Sequence, residues 1–140
     1  MNVRRINAAA VAVSSATGNH IYVFGGRGEG DEFHDSVERY SCDLDFWNIL
    51  EIKLPKSLCN HFVFPFTNGV MDSFIVFGGV RPKEQHSLGA KGTETEIERN
   101  VYMFNRSKEV WYQLRRLPDH CKVSHAVHAG QGKFYLYLLS

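Results

Sequence analysis

The sequence has few cysteines and no long apolar run. Its 140 residues include three cysteines, Cys42, Cys59 and Cys121, which form no C-x-x-C pair. An odd, widely spaced set argues against a disulfide framework or a structural zinc site and favours a reducing compartment, so we expect a cytoplasmic location. No apolar stretch approaches the roughly 18 residues of a membrane-spanning helix, and we expect no membrane association.

The sequence also lacks an excess of charge of either sign. It has 16 Lys plus Arg and 15 Asp plus Glu, which gives a formal net charge of +1. No basic stripe predicts binding to nucleic acid. Hydrophobic residues make up 44% and charged residues 22%, the balance of an ordinary globular protein.

An internal repeat is the main feature that is present. The segments 20–26 and 73–79 are both apolar runs that end in a glycine pair, Gly25-Gly26 in the first and Gly78-Gly79 in the second. Further on, an aromatic residue precedes a tryptophan by seven positions in both copies; these pairs are Tyr40 with Trp47 and Phe104 with Trp111. The second copy is longer between these landmarks, which indicates an insertion at about residues 81–98.

Each copy predicts four strands, because short β-branched and aromatic runs alternate with turn residues and no helical period lies between them. The predicted strands are at about 7–15, 20–26, 36–42 and 47–54, and then at 61–67, 73–79, 100–105 and 110–117. A third copy begins with predicted strands at 124–129 and 133–139. Leu138-Leu139 stands there in place of the glycine pair.

These landmarks, in this order, resemble the kelch repeat. The resemblance implies an all-β fold, a partial β-propeller of four-stranded antiparallel kelch blades. The whole chain, 1–140, would be a kelch-repeat region, with blade one at about 7–55, blade two at 61–118 and a partial blade three at 124–140. The glycine pairs would permit close backbone approach, and the tryptophans would fill gaps between blades.

About two and a half blades cannot close a ring, so an apolar blade face is expected at each end of the stack. Two interpretations follow. The chain is either a fragment of a longer protein that supplies the remaining blades, or it completes a ring by self-association or with another chain.

Catalytic motifs are not found in the sequence. It has no G-x-S-x-G, H-E-x-x-H or P-loop pattern, so we expect neither an enzyme nor a cofactor. On a strand, His125 and His128 would point to opposite faces, which argues against a metal site there. Glu94, Glu96 and Glu98 in the insertion are predicted to form a solvated charged loop.

Recognition of a protein partner is the function that the resemblance implies. In kelch adaptors, partner peptides dock on the loops after the glycine pairs and on the loops between blades. Those positions correspond here to Arg27, Arg81, Asn60 and Ser124. An arginine at such a place can pair with a carboxylate of the partner.

We therefore expect a non-catalytic protein-binding module. By resemblance, its parent would be a substrate adaptor of a ubiquitin ligase or a cytoskeletal scaffold. The alternative is an enzyme built on a kelch propeller, of the oxidase or sugar epimerase type. The insertion at 81–98 would be either a clasp for a partner or a tolerated expansion.

Overall fold

A computed structural model describes residues 1–67, 72–83, 94–119, 121–130 and 133–139 of the chain. The described part is built of β-strands, with one short 3-10 turn at Glu29–Asp31. The first four strands form an antiparallel sheet in sequential order. They are β1 (Ala9–Ser15), β2 (Gly18–Phe24), β3 (Ser36–Ser41) and β4 (Phe46–Lys53).

The second sheet repeats the first with a ribbon inserted. In chain order, its elements are β5 (Phe62–Thr67), β6 (Asp72–Phe77), β7 (Val80–Pro82), β8 (Thr95–Ile97), β9 (Asn100–Asn105) and β10 (Val110–Arg116). The four-stranded sheet has the order β5-β6-β9-β10, while β7 and β8 pair only with each other. The predicted insertion thus begins and ends as a two-stranded ribbon, and its residues 84–93 lie outside the described residues.

The third sheet has two strands, β11 (Lys122–His128) and β12 (Phe134–Leu139), which pair antiparallel with an irregularity between Val123 and His125. We call the three sheets blade one, blade two and half-blade three. Four-stranded antiparallel blades in sequence confirm the predicted all-β propeller class. The predicted turn before β12 includes residues 131 and 132, which are outside the described part.

Blade two is packed on both of its faces, and alternation along β6 explains how. Phe74 and Val76 point into a core shared with Phe24 of blade one, whereas Ile75 and Phe77 point into a core shared with half-blade three. The rings of Phe24 and Phe74 meet edge to face with centroids 5.2 Å apart. A strand covered on both sides must be apolar throughout, and for this reason the runs before the glycine pairs do not alternate with polar residues.

The glycine pairs permit backbone to approach backbone. Gly25 and Gly79 have φ of +58° and +82°, angles that favour glycine. A Cβ on Gly25 would lie 2.5 Å from the carbonyl oxygen of Leu58, and one on Gly79 would lie 2.5 Å from that of Cys59. Leu58 and Cys59 belong to the connection between the two blades, so this connection passes directly against both glycine pairs.

A buried ion pair fixes the start of the chain to blade one. The side chains of Arg5 and Glu38 are 1% and 0% exposed, with Arg5 Nη2 3.0 Å from Glu38 Oε2. Arg5 Nη1 also donates to the Gly25 carbonyl oxygen at 2.7 Å and to that of Ser36 at 3.1 Å. The backbone N–H of Asn2 donates to Glu38 Oε1 at 2.5 Å. Each charge therefore has a partner of opposite sign and further hydrogen bonds, which a buried ion pair requires.

We predict that Arg5→Met destabilises the fold by about 3–5 kcal/mol, because it leaves the carboxylate of Glu38 buried without its cation. Arg4→Met is the matched control, since Arg4 is 91% exposed and pairs with the exposed Glu29. Urea unfolding measures both changes. Equal midpoints for the two variants would contradict the assignment.

We also predict that Gly79→Ala destabilises the fold more than Gly30→Ala. Both glycines have positive φ, so both alanine variants carry the left-handed backbone strain of roughly 1–2 kcal/mol. Only Gly79 adds a clash with the Cys59 carbonyl, whereas a Cβ on Gly30 would meet no atom of the described residues within 4 Å. Thermal unfolding of the two variants separates the effect of the steric clash from that of backbone strain. Equal losses of stability would show that Gly79 does not lie close to the Cys59 carbonyl.

Candidate partner-binding face

The two ends of the blades differ in their connections. At one end, strands are joined by short turns at 16–17, 42–45 and 106–109. At the other end lie the glycine pairs, the long loop 27–35, the ribbon of β7 and β8, the connection 54–61 and the residues 117–119. We call this second end the loop face. It collects the segments of blades one and two that are not constrained by a tight turn.

Charged side chains on the loop face pair with one another. The ion pairs there are Arg4–Glu29, Arg27–Asp31, Lys53–Asp35, Arg81–Glu96, Arg81–Glu98, Lys83–Glu94, Arg99–Asp119 and Arg116–Asp119. Most of these groups are at least a quarter exposed, so each pair contributes little to stability. They give the face a dense pattern of both charges, which favours specificity in recognition more than affinity.

Arg27 lies on the loop face, where the kelch resemblance places the residue that follows the glycine pair. It follows Gly26 directly, and its side chain is 40% exposed. The guanidinium pairs with Asp31 four residues later and lies 5.9 Å from the ring centre of Phe33. These two neighbours could not be predicted from the sequence, because the conformation of the loop brings them together. Arg27 is thus held in position with its charge still open to solvent.

Arg81 is enclosed by the chain's own carboxylates. Its Nη1 lies 2.8 Å from Glu96, and its Nε lies 3.2 Å from Glu98 without the alignment of a hydrogen bond. Its side chain is 22% exposed. Glu98 is buried and also accepts from the backbone N–H of Asn100 at 2.7 Å. Arg81 therefore joins the ribbon to blade two, and the prediction that Glu98 is a solvated loop residue was wrong.

The other two predicted contact residues differ from each other. Asn60 is exposed in the connection between the blades, with φ of +54°, and its N–H donates to the Asn7 carbonyl. Ser124 lies inside β11 rather than in an inter-blade loop, because that strand begins at Lys122. Its Oγ donates to the Tyr137 carbonyl at 3.3 Å. Of these two residues, only Asn60 lies on the loop face.

The aromatic landmarks of the repeat pack within and between the blades. The Tyr40 and Trp47 rings lie 5.1 Å apart, and the equivalent Phe104 and Trp111 rings lie 5.0 Å apart. Phe104 is buried in the core between blades one and two, and Trp111 packs against that core. The hydroxyl of Tyr40 donates to Asp45 at 2.5 Å, a hydrogen bond that raises the pKa of Tyr40.

His61 is buried where the glycine pairs of the two blades meet the connection. It is 5% exposed, and a Cβ on Gly25 would lie 2.9 Å from its ring. Neither ring nitrogen has a hydrogen-bond partner among the described residues. Burial lowers the pKa of His61 from 6.5 to about 4, because the charged imidazolium would lose its hydration. The neighbouring Cys59 thiol is also buried, which raises its pKa.

The described residues contain no group of three or more His, Cys, Asp or Glu side chains arranged to hold a metal ion. His125 lies beside Tyr137 and His128 against Phe134, on the opposite faces that strand alternation predicts. In the same part of the chain, no helix is long and apolar enough to cross a membrane.

Comparison with known proteins agrees with this architecture. The solved structure of YjhT is similar to 87% of this chain at 19% identity, with a TM-score of 0.59. The similarity covers 41% of YjhT, so the chain spans less than half of that protein. The shared feature is the fold, a set of β-propeller blades.

A family model described as the kelch motif matches residues 4–51, which include most of blade one. Residues 4–51 therefore carry the kelch motif that the sequence predicts. Blade two has Phe104 in place of Tyr and carries the insertion, which are the departures from the kelch landmarks that the sequence predicts. No curated protein matches the chain.

We predict that acid destabilises the fold partly through His61. The pKa of this histidine is lower in the folded state than in the unfolded one, so the unfolded chain binds more protons between these two values. Stability is therefore complete above about pH 6.5 and falls toward pH 4, by up to about 1.4 kcal/mol per pH unit. His61→Val should remove this part of the slope, since Val123 occupies the corresponding place beside Gly78.

His125→Val is the matched control, because His125 is exposed. It should keep the wild-type dependence on pH. Urea midpoints at about pH 7, 6 and 5 measure the difference between the variants and the wild type. An unchanged slope in His61→Val would show that His61 is solvated.

Proposed function

We propose that this chain is a non-catalytic, cytoplasmic module that binds a protein partner on its loop face. Two packed blades hold the loops of this face on a rigid base, and binding sites commonly lie on loops positioned in this way. The exposed free thiol of Cys42 supports a reducing compartment.

The observation that carries the proposal is that the connections at the two ends of the blades differ in length and in charge. The loop face has the long connections and most of the ion pairs, while the described turns at the other end of blades one and two, at 16–17, 42–45 and 106–109, have two to four residues. Turns of that length leave little backbone to vary without disturbing the strand pairing. A partner that recognises this chain specifically therefore finds distinctive side chains on the loop face.

Arg27 and Asn60 are the contact residues that we retain. Arg27 is the better of the two, since its guanidinium is preorganised by Asp31 and Phe33 and can exchange Asp31 for a carboxylate of the partner. Arg81 is assigned a structural role, because two carboxylates already enclose it. The partner that fits has an acidic group at the place where it meets Arg27.

The parent that we propose is a ubiquitin ligase adaptor or a cytoskeletal scaffold, and the kelch resemblance supports this finer assignment. Its remaining domains would determine which of the two it is. The proposal concerns the part of the protein that this chain spans.

Site-specific photo-crosslinking in cells tests the loop face directly. A benzophenone amino acid is placed at Glu32 or Asn60 on the loop face, or at Leu44 in the opposite turn; all three positions are exposed. We expect the loop-face positions to crosslink to a common protein that Leu44 does not capture. Arg27→Glu should reduce the yield from Glu32 about tenfold or more, the loss expected when an arginine–carboxylate contact becomes a repulsion.

Arg4→Glu is the matched control for charge reversal, because it is exposed and lies on the same face. It should reduce the yield much less than Arg27→Glu. Crosslinks that arise only from Leu44 would show that the partner binds the end of the blades that carries the short turns. Turnover of a small molecule by the purified chain would contradict a non-catalytic module.

A further inference from the structure

A groove of about 690 Å³ lies between blades one and two. Its lining includes the first residue of β6 and the turn at 106–109, so it lies toward the ends of the blades that carry the short turns. Each wall is a four-stranded sheet of this chain. We call it the inter-blade groove and define it by Arg39, Asn48, Leu50 and Ile52 of blade one and by Asp72 and Arg106 of blade two.

The register of blade one determines which of its side chains point into the groove. The ring of Tyr22 lies 4.9 Å from that of Phe74, so Tyr22 faces blade two. Arg39 is the cross-strand partner of both Tyr22 and Asn48. Residues paired across neighbouring strands share a face of the sheet, and therefore Arg39 and Asn48 also point toward blade two.

The arginine on the opposite wall already has its partners. Arg106 Nη1 lies 2.5 Å from Asp72, and its Nη2 donates to the Tyr22 hydroxyl at 3.3 Å. The guanidinium carbon lies 5.4 Å from the ring centres of both Tyr22 and Phe74. Such contacts between a cation and aromatic rings are attractive. Arg106 thus joins the two blades and stabilises the shape of the groove.

Arg39 differs in having no partner. It is half-buried, and its guanidinium forms no hydrogen bond or ion pair with another described residue. All the other half-buried arginines of the described residues form ion pairs; they are Arg5, Arg27, Arg81, Arg99 and Arg106. Burial removes part of the hydration of the Arg39 charge and no carboxylate of the chain replaces it, so Arg39 favours the binding of an external anion.

The neighbouring groups favour an anion with a single negative charge. Asp72 lines the groove, and the exposed Glu109 lies at its rim, so both repel a dianion such as phosphate. A carboxylate carries one charge and accepts two parallel hydrogen bonds from a guanidinium. The side-chain amide of Asn48, beside Arg39, can donate one more.

An apolar wall continues from this polar part of the groove. Leu50 and Ile52 are half-buried and pack against the core between the blades. Glu51 alternates with them along β4, so its carboxylate points to the other side of blade one. The groove therefore combines one unpaired cation with an apolar wall.

We propose that the inter-blade groove binds a small organic acid that has one carboxylate and a short apolar tail. Arg39 binds the carboxylate, and Leu50 and Ile52 contact the tail. The volume of the groove lies within the range of about 300–1,000 Å³ that is typical of small-molecule sites. This site is separate from the loop face and does not depend on the partner proposed to bind there.

Titration of the ¹⁵N-labelled chain with butyrate, followed by nuclear magnetic resonance, tests the proposal. We expect saturable shifts of the Arg39 Nε–H and of the Asn48 amide, with a dissociation constant on the order of 1–10 mM, as is usual for so small a ligand. Arg39→Gln should weaken binding roughly tenfold or more, because a charged hydrogen bond is lost. Arg115→Gln is the matched control, since Arg115 is exposed and lies outside the groove. It should bind butyrate as the wild type does.

Three further probes identify the chemistry of the ligand. Butyramide has the shape of butyrate without its charge and should bind roughly tenfold more weakly or worse. The absence of saturable shifts at about 50 mM butyrate, or unchanged binding by a folded Arg39→Gln variant, overturns the site. Tighter binding of inorganic phosphate than of butyrate overturns the preference for a single charge. Tighter binding of N-acetyl-aspartate methylamide would show that the groove takes an acidic peptide, and overturns the assignment to a small organic acid.

Discussion

The structure depends on one close approach, in which the connection between blades lies directly against the glycine pairs. The N–H of Gly26 donates to the Leu58 carbonyl at 2.7 Å, and Cys59 and Val80 exchange two backbone hydrogen bonds. A side chain at Gly25 or Gly79 would occupy the space that these carbonyls fill. Because the connection is bound in this way, each blade is fixed relative to the next by backbone as well as by side chains.

This constraint explains how a small fold presents a defined surface. The same backbone contacts that join the blades lie at the root of the loop face, so the loops begin from fixed positions. Charged groups then divide into two classes. Arg5 and Arg81 are enclosed by carboxylates of their own chain and hold segments in place, whereas Arg27 keeps two fifths of its side chain exposed. The proposed recognition uses the second class, because a buried charge cannot exchange its partner without a large cost.

Much of the fold could be predicted from the sequence. The strands of blades one and two begin and end within two residues of the predicted bounds, because the glycine pairs and turn residues mark their ends. The start of β11 was placed two residues late, an error as large as that at the start of β1, and it put Ser124 in a loop. Local pattern thus predicts the presence of each strand and leaves its first residues uncertain by two positions.

The candidate site was predicted less well, for a physical reason. Arg27 and Arg81 stand at similar positions after their glycine pairs, yet their environments differ. The carboxylates that enclose Arg81 lie 15 and 17 residues along the chain, at the far side of an insertion, and come close only when β7 pairs with β8. The pair of Arg5 with Glu38 likewise joins residues 33 apart in sequence. Such partners follow from tertiary structure and have no local signature.

The packed blades fix the loop face through the backbone of the connection between them. Residue-resolved amide hydrogen exchange, measured by nuclear magnetic resonance, tests this claim most directly at Gly26 and Val80, whose N–H groups donate to the connection. The account predicts that these two amides exchange as slowly as those in the centre of β2 and β6. Exchange as fast as that of the exposed turn at 42–45 would show that the connection is not bound to the glycine pairs, and would contradict the account.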